Sequence, residues 1–190
     1  KINCELAPKS YTCTIKNGMI LQDLKEDGYI MPNKFNLLDY SHCKLVISSL
    51  AKFHASSVAC YHDDPQLVKE IGEELFYTVE NEINSLWIKF CMKTVGEILS
   101  EMDECKQAAD LFLSRVDNVV EVAADICKPK TFGLNVLNHG DLWINNMLFK
   151  YLDSGEVEEV RFVDFQTSRW GSPVTDLLYF LWTSADEQVR

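Results

Sequence analysis

The hydrophobic period of the chain changes at Pro129, and no other feature of the sequence constrains the fold as strongly. Before Pro129, apolar residues recur every three or four positions, which is typical of amphipathic α-helices. After it, short apolar runs separated by turn residues predict β-strands. The 190 residues, 47% hydrophobic and 25% charged, suit one globular domain or part of one. The sequence therefore predicts an α+β chain dominated by helix.

Three helical stretches are predicted before Pro129. The first begins near Asp39 or Ser41, since either residue suits an N-cap, and it ends at Pro65. The second spans residues 66–99 and the third spans residues 103–126, each with one apolar stripe that we expect to face the core. The two stripes consist of Leu67, Ile71, Leu75, Val79, Ile83 and Leu86, and of Ala108, Leu111, Phe112, Val116, Val119, Val120 and Ala123.

The strands are predicted at both ends of the chain. A turn at Asn17 and Gly18 leads into a strand over residues 19–21. After Pro129, the runs "GLNVLNH", "NMLFKYL" and "VRFVDF" predict three more strands. The last two are joined by "DSGE", a hairpin turn in which Gly155 is free to adopt a positive φ. A turn at residues 171–173 then leads into a final helix.

The charge and the cysteines exclude some classes of protein. A net charge of −11 argues against nonspecific nucleic-acid binding, which needs Lys and Arg to neutralise phosphates. It leaves a small anionic ligand open, because backbone N–H groups or a metal can bind one locally. Seven cysteines without a CxxC pair predict reduced, buried thiols in the cytoplasm. The apolar runs are too short to span a bilayer and no signal peptide is visible, so we expect no membrane partner.

The stretch "LNHGDLWINN" contains the residues best suited to chemistry. His139, Asp141 and Asn146 lie between two apolar runs, and Asp164 ends the second strand of the hairpin. Because a hairpin brings its two ends together, we expect Asn146 and Asp164 to approach each other. One amide oxygen and one carboxylate suit Mg²⁺, which leaves its other positions to water and phosphate oxygens. Asp141 is then available to accept the proton of a substrate hydroxyl, a division of roles typical of phosphoryl transfer.

Other interpretations of the same residues are weaker. An Asx turn would also use Gly140 and Asp141, so the loop motif indicates catalysis only together with Asn146 and Asp164. Four scattered histidines and no cysteine pair give no zinc-ligand spacing, and no GxSxG elbow supports a catalytic serine. We expect His139 to be a structural residue that bonds backbone near the loop.

The motifs resemble a known group of kinases. "LNHGDLWINNMLFKY" and "VRFVDFQ" resemble the aminoglycoside-phosphotransferase and choline-kinase-like fold, and more narrowly the insect ecdysteroid-kinase-like family. "ILQDLKEDGYIM", "HCKLVISSLAKFHASS" and "SPVTDLLYFLW" match the same family, so the resemblance covers nearly the whole chain. It implies a protein-kinase-like fold, with residues 1–24 as the end of the N-terminal lobe and the hinge. Residues 25–190 would form the helical C-terminal catalytic lobe.

The resemblance also implies what is missing. No glycine-rich phosphate loop is present, and no strand lysine with a helix-borne glutamate partner precedes residue 14. The N-terminal lobe would therefore be largely absent and lie upstream of Lys1. The family's last helices would lie beyond Arg190. We expect this chain alone to have little or no transferase activity.

The resemblance implies a role for each candidate residue. Asp141 would be the catalytic base, and His139 would hold the catalytic loop. ATP and Mg²⁺ are the implied cofactors, with Asn146 and Asp164 as metal ligands. The hinge beside the adenine would be formed, mainly through backbone groups, by Gln22, Asp23 and Leu24.

Two further residues have alternative roles, and one further segment differs from protein kinases. Asp176 would either brace the catalytic loop or cap the last helix. Trp143 would either line an acceptor pocket or pack in the core. Phe165–Gln166 stands where protein kinases have Phe–Gly, and without the glycine we do not expect a protein-kinase-style switch of this segment.

The sequence therefore predicts an ATP-dependent small-molecule kinase. The implied substrate is a small hydroxylated molecule such as an ecdysteroid or another lipophilic alcohol, although an aminoglycoside-like or choline-like acceptor stays open. We expect a monomer with no nucleic-acid partner. The alternatives are a non-catalytic pseudokinase that binds a ligand or partner, and a helical interaction module built on residues 66–127. The intact Asp141, Asn146 and Asp164 argue against both.

Overall fold

The structure is a computed structural model, and it describes residues 5–16 and 18–190. Its α-helices are α1 (Tyr40–Asp63), α2 (Pro65–Ile71), α3 (Glu82–Ser100), α4 (Lys106–Arg115), α5 (Val119–Cys127) and α6 (Val174–Ser184). Its strands are β1 (Ser10–Tyr11), β2 (Ile20–Leu21), β3 (Val136–Asn138), β4 (Met147–Tyr151), β5 (Val157–Phe162) and β6 (Arg169–Gly171). The strands pair antiparallel as β1–β2, β3–β6 and β4–β5.

Helix α1 begins where one of the two predicted caps lies. The Asp39 carboxylate accepts a hydrogen bond from the His42 backbone N–H at 3.0 Å, so Asp39 rather than Ser41 is the N-cap. The helix ends at Asp63, as Pro65 predicts. Asp64 then caps α2, and its carboxylate accepts from the Leu67 N–H at 3.0 Å.

The main core lies between α1, the β4–β5 hairpin and α6. Val46 and Leu50 of α1 are buried against Phe149 and Phe162 of the hairpin and Phe180 of α6. Large aromatic and aliphatic side chains contribute most when they are fully removed from water, about 1.5–3 kcal/mol each. This packing fixes the hairpin and α6 on α1, and the loop between β3 and β4 lies among these elements.

The predicted hairpin is confirmed, although β5 ends at Phe162, so Asp164 lies two residues beyond the strand that it was predicted to end. Met147 lies opposite Phe162, and Gly155 in the turn has φ of 86°. The run "GLNVLNH" forms β3, but its partner β6 includes Gly171, which the sequence predicted as part of a turn. Near the N-terminus, β2 covers two of the three predicted strand residues. Asn17 of the predicted turn lies outside the described residues, and the Gly18 N–H donates to the Ile15 carbonyl at 2.9 Å.

The prediction of one helix over residues 66–99 is wrong. The chain turns between α2 and α3, and at Gly72 it packs so closely that a Cβ there would lie 2.6 Å from the Trp170 backbone nitrogen. The Glu74 carboxylate then accepts from the backbone N–H groups of Phe76 and Tyr77, both at 2.7 Å. The predicted buried stripe is also wrong. Its residues are between 49% and 80% exposed: Leu67, Ile71, Leu75, Val79, Ile83 and Leu86.

The prediction of one helix over residues 103–126 is wrong in its continuity. A 3₁₀ turn at Asp103–Cys105 precedes α4, and the chain breaks again before α5. The buried residues of this segment are Ala109 and Val120, whereas Ala108 and Leu111 of the predicted stripe are exposed. Helices α3 and α4 pack where Gly96 meets Leu113, since a Cβ on Gly96 would lie 2.8 Å from the Leu113 Cγ.

Two further sequence predictions concern membrane-spanning helices and the cysteines. In the described ranges, no helix combines the length and the apolar character that a membrane crossing requires. The described cysteines are free thiols, but only Cys43 and Cys127 are buried, so the predicted burial is wrong for the others. Cys4 lies outside the described residues. Burial raises the pKa of the Cys43 thiol to about 11.

Candidate active site

One buried carboxylate fixes the start of the loop between β3 and β4. Asp176 Oδ2 accepts from the His139 N–H at 2.8 Å, and Oδ1 accepts from the Gly140 N–H at 2.9 Å. His54 Nε2 of α1 lies 3.0 Å from Asp176 Oδ2. The N-cap of α6 is Pro173, without a side-chain cap bond. Of the two interpretations of Asp176, the geometry is that of a brace for the loop, because charge-assisted bonds from three groups converge on it.

Gly140 is required by both its backbone angle and its neighbours. Its φ is 88°, and a Cβ there would lie 2.0 Å from the Thr167 carbonyl oxygen. The Gly140 carbonyl accepts from Arg169 Nη2 at 2.9 Å. Only glycine combines a positive φ with such a close approach of another backbone segment.

Arg169 is a site residue that the sequence analysis missed. It is buried in β6, and its Nη1 lies 3.2 Å from Glu74 Oε2 and 3.2 Å from Cys127 Sγ. Its guanidinium therefore joins the loop to the turn after α2 and to the end of α5. The sequence carries one local sign of this role, a charged residue between the small residues of "TS" and the apolar "WG". Its partners are far away in the chain, so nothing local identifies them.

The His139 ring joins the loop to the backbone that follows β5, as expected for a residue that holds the loop. The Asp141 N–H donates to its Nδ1 at 3.3 Å, which leaves the proton on Nε2 for the Val163 carbonyl at 3.0 Å. Burial lowers the pKa of the His139 imidazole, so the ring is neutral near pH 7. Both ring nitrogens therefore contact backbone groups, and the residue is buried.

Two of the three residues predicted to bind metal and substrate, Asp141 and Asn146, are in contact at the open end of the β4–β5 hairpin. The side-chain nitrogen of Asn146 donates to both the carbonyl and Oδ2 of Asp141, each at 2.9 Å. The Asn146 carbonyl accepts from the Val163 N–H at 3.0 Å, which places Asp164 one residue beyond that bond. Asp141 and Asn146 are thus in contact, and Asp164 lies just beyond the end of β5, the strand paired with β4.

The donor set at this end of the hairpin fits Mg²⁺. Because the Asn146 nitrogen is bonded to Asp141, its Oδ1 is the atom left to bind a cation. Asp164 has φ of 66°, the left-handed region, and its side chain is exposed. Asp tolerates this conformation better than most residues do. In residues 5–16 and 18–190, no cluster of three or more His, Cys, Asp or Glu forms a metal site, but Mg²⁺ commonly uses one or two carboxylates plus phosphates.

The predicted hinge lies beside these residues. Leu24 is buried in a small cluster with Tyr29 and Leu148, against which Val163 packs. The Gln22 N–H donates to the Lys9 carbonyl at 2.9 Å, and the Leu24 carbonyl accepts from the Tyr29 N–H at 3.0 Å. These two backbone groups are therefore engaged within the chain. Asp23 Oδ1 accepts from the Lys25 N–H at 3.0 Å.

A cavity of about 700 Å³ lies next to the loop, where Gly140 lines it. Helices α5 and α6 supply most of its wall, which includes the apolar side chains Ala123, Ile126, Val174, Leu178 and Trp182. Tyr179 also lines it, and the Tyr179 hydroxyl donates to Asp141 Oδ1 at 2.8 Å. Trp143, in contrast, packs against the main core. The tryptophan of the cavity is thus Trp182, and Trp143 is a core residue.

Comparison with known proteins identifies the family and the fold of the chain. A model of the ecdysteroid kinase-like family matches residues 1–190. Among solved structures, an ethanolamine kinase from Plasmodium vivax is similar, with a TM-score of 0.50 and 18% sequence identity. The match covers 99% of this chain and 52% of the other, so the chain spans about half the length of that kinase. No curated protein shows significant sequence similarity. The fold is therefore protein-kinase-like, as the resemblance implies.

Proposed function

This chain belongs to the ecdysteroid kinase-like family, and we propose that the natural protein containing it is an ATP- and Mg²⁺-dependent kinase of small hydroxylated molecules. The observation that carries the proposal is the contact between Asp141 and Asn146 at the open end of the hairpin. Asp164 directly follows Val163, whose N–H donates to the Asn146 carbonyl and whose side chain packs against the Leu24 cluster. Phosphoryl transfer needs positioned phosphates, charge neutralisation and one base for the attacking oxygen. The chain offers Asp141 for the base, and Asn146 and Asp164 for the metal ion that neutralises charge.

Asp141 is the proposed base. Its two carboxylate oxygens are held by Asn146 and Tyr179, and each retains a lone pair that can accept the hydroxyl of an acceptor molecule. The carboxylate would take the proton of that hydroxyl as the hydroxyl oxygen bonds to the γ-phosphorus of ATP, while the bond from that phosphorus to the β–γ bridging oxygen breaks and ADP leaves. Asp176 supports this step because it holds the two residues that precede Asp141.

Asn146 Oδ1 and Asp164 are the proposed Mg²⁺ ligands. The bound ion would neutralise charge on the ATP phosphates. The chain's own contribution is to fix both ligands relative to Asp141. The Val163 peptide does this on both sides, because its N–H donates to Asn146 and its carbonyl accepts from His139.

The cavity beside Tyr179 is the proposed acceptor site, and its lining favours a lipophilic alcohol. The apolar side chains of α5 and α6 form much of its wall, together with the cations Lys130 and Arg169. Its acidic lining residue, Asp176, is already bonded to His54, His139 and Gly140. A cationic acceptor such as choline or an aminoglycoside would lack a free carboxylate partner there, whereas a steroid alcohol could bury its apolar surface.

The test uses the natural full-length protein. It is incubated with Mg-ATP and separately with ecdysone, choline, ethanolamine and kanamycin, and each acceptor is examined by mass spectrometry for the gain of one phosphoryl group. We expect product with ecdysone. Asp141→Asn should reduce kcat about 10²–10⁴-fold, because the base is lost, and Asp164→Ala should abolish Mg-ATP binding measured by calorimetry.

A matched variant controls for nonspecific effects. Asp153→Asn makes the same change as Asp141→Asn at an exposed residue of the hairpin turn, and it should retain full activity. Failure of the unmodified protein to phosphorylate any of the four acceptors would contradict the proposed function. Phosphorylation of choline or ethanolamine but not of ecdysone would agree with a small-molecule kinase and contradict the proposal of a lipophilic acceptor.

A further inference from the structure

The carboxylate of Asp141 is held on both of its oxygens by side chains from different elements. Asn146 donates to Oδ2 at 2.9 Å, and the Tyr179 hydroxyl donates to Oδ1 at 2.8 Å. The Asn146 contact comes from the same loop and belongs to the motif already described. The Tyr179 contact comes from α6, and no motif of the sequence indicates it.

Tyr179 and Asp176 act on the loop from one face of α6. They are three residues apart, so their side chains lie on neighbouring positions of the helix surface. Asp176 fixes the backbone of His139 and Gly140, and Tyr179 reaches the side chain of the next residue. One rigid helix thus sets both the path of the loop and the orientation of the carboxylate.

The surroundings of Tyr179 keep its hydroxyl protonated. Burial and the hydrogen bond to the Asp141 carboxylate both raise the pKa of the Tyr179 phenol. At neutral pH the hydroxyl is therefore a hydrogen-bond donor and not a competing base. Its ring lines the cavity proposed for the acceptor, so the hydroxyl lies at the boundary between the acceptor space and the base.

We propose that Tyr179 is a positioning residue for phosphoryl transfer, which holds the Asp141 carboxylate in the orientation that receives the acceptor hydroxyl. The inference rests on the proposed kinase function. Without the phenol, Oδ1 loses its charge-assisted partner and the carboxylate gains rotational freedom about the bond to Cβ. Small displacements of reacting groups are costly in rate, up to about a hundredfold for 1 Å.

The test compares Tyr179→Phe with the unmodified full-length protein, using as acceptor the compound that shows product among ecdysone, choline, ethanolamine and kanamycin. We expect kcat to fall by about tenfold or more, while the KM for Mg-ATP and the Tm stay unchanged. A merely structural tyrosine would instead change the Tm and leave kcat intact. Tyr151→Phe is the matched control, since its hydroxyl lies 3.0 Å from His42 Nε2, away from the loop.

A double variant shows whether Tyr179 acts through Asp141. If it does, Tyr179→Phe should cause no further loss of kcat in the Asp141→Asn background, because residues that act as a unit are non-additive. An unchanged kcat in Tyr179→Phe, or an equal loss in both backgrounds, would overturn the positioning role and leave the kinase standing. Absence of product from the unmodified protein would overturn the proposed function, and the role of Tyr179 with it.

Discussion

The region around the loop between β3 and β4 and the helical region of residues 72–127 differ in where their apolar side chains lie. In the first, Phe149, Phe162 and Phe180 are fully buried against α1. In the second, Ile83 and Phe90 of α3 are 80% and 67% exposed. Both regions carry strong apolar periodicity in the sequence. The difference teaches that periodicity identifies one face of an element but not what covers that face.

The largest expected effect comes from one substitution made in both regions. Leu50→Ala removes a buried side chain of α1, and we expect it to lower the free energy of unfolding by about 2–5 kcal/mol. Leu86→Ala makes the same change on the exposed face of α3, and we expect a loss within about 0.5 kcal/mol. Urea unfolding of both variants in the full-length protein measures the contrast. A loss of about 2 kcal/mol at Leu86 would show that this face is covered in the natural protein.

A smaller effect separates two glycines with the same backbone angle. Gly140 and Gly155 have φ of 88° and 86°, but a Cβ at Gly155 would have no atom within 4 Å. A non-glycine residue in this conformation costs about 1–3 kcal/mol, so Gly155→Ala measures the strain alone. Gly140→Ala adds the clash with the Thr167 carbonyl, and we expect it to be more destabilising in urea unfolding and to lower kcat. Equal losses for the two variants would contradict the close approach of Thr167 to the loop.

The smallest effect concerns the cap of α1. Asp39→Ala should destabilise the protein by about 1 kcal/mol, because the His42 N–H loses its acceptor. Bonds from His42 lower the pKa of the Asp39 carboxyl. Its contribution is therefore present above the unfolded-state pKa of about 3.9 and is lost as the pH falls through the lower folded-state pKa.

The pH dependence gives this prediction its measurement. The difference in Tm between the unmodified protein and Asp39→Ala should be constant near neutral pH and shrink as the solution becomes more acidic than about pH 4. Ser41→Ala is the control, because Ser41 is the predicted cap that the structure does not use. A difference that fails to shrink as the pH falls below about 4 would contradict the cap.

Features whose physical cause lies within a few residues were predicted from the sequence, and features that involve distant contacts were not. The hairpin turn at Gly155 and the cap at Asp39 were predicted because their physical causes lie within a few residues. The break after α2 was missed, and Gly72, which lies at this break, packs against Trp170, far away in the chain. A periodicity that continues across such a break gives no indication of it.

In the candidate site, too, residues of a local motif were predicted and residues that act through distant contacts were missed. Asp141, Asn146 and Asp164 were predicted because they form a recognisable spacing, although their roles stay predictions. Arg169 and Tyr179 were missed, because their importance comes from contacts with Glu74 and Asp141 that no local pattern encodes. Tertiary contacts of this kind supply the support around a motif, and the motif alone does not reveal them.

The placement of the site at the open end of the β4–β5 hairpin has a consequence for how the chain can change in length. The closed end, at residues 152–156, is exposed, and residues inserted there would leave Met147 opposite Phe162. A single residue inserted within one strand would instead shift the register and turn the following side chains to the opposite face. Insertions and deletions among relatives should therefore accumulate at the closed end, while the number of residues from Asn146 to Tyr151 and from Val157 to Asp164 stays constant.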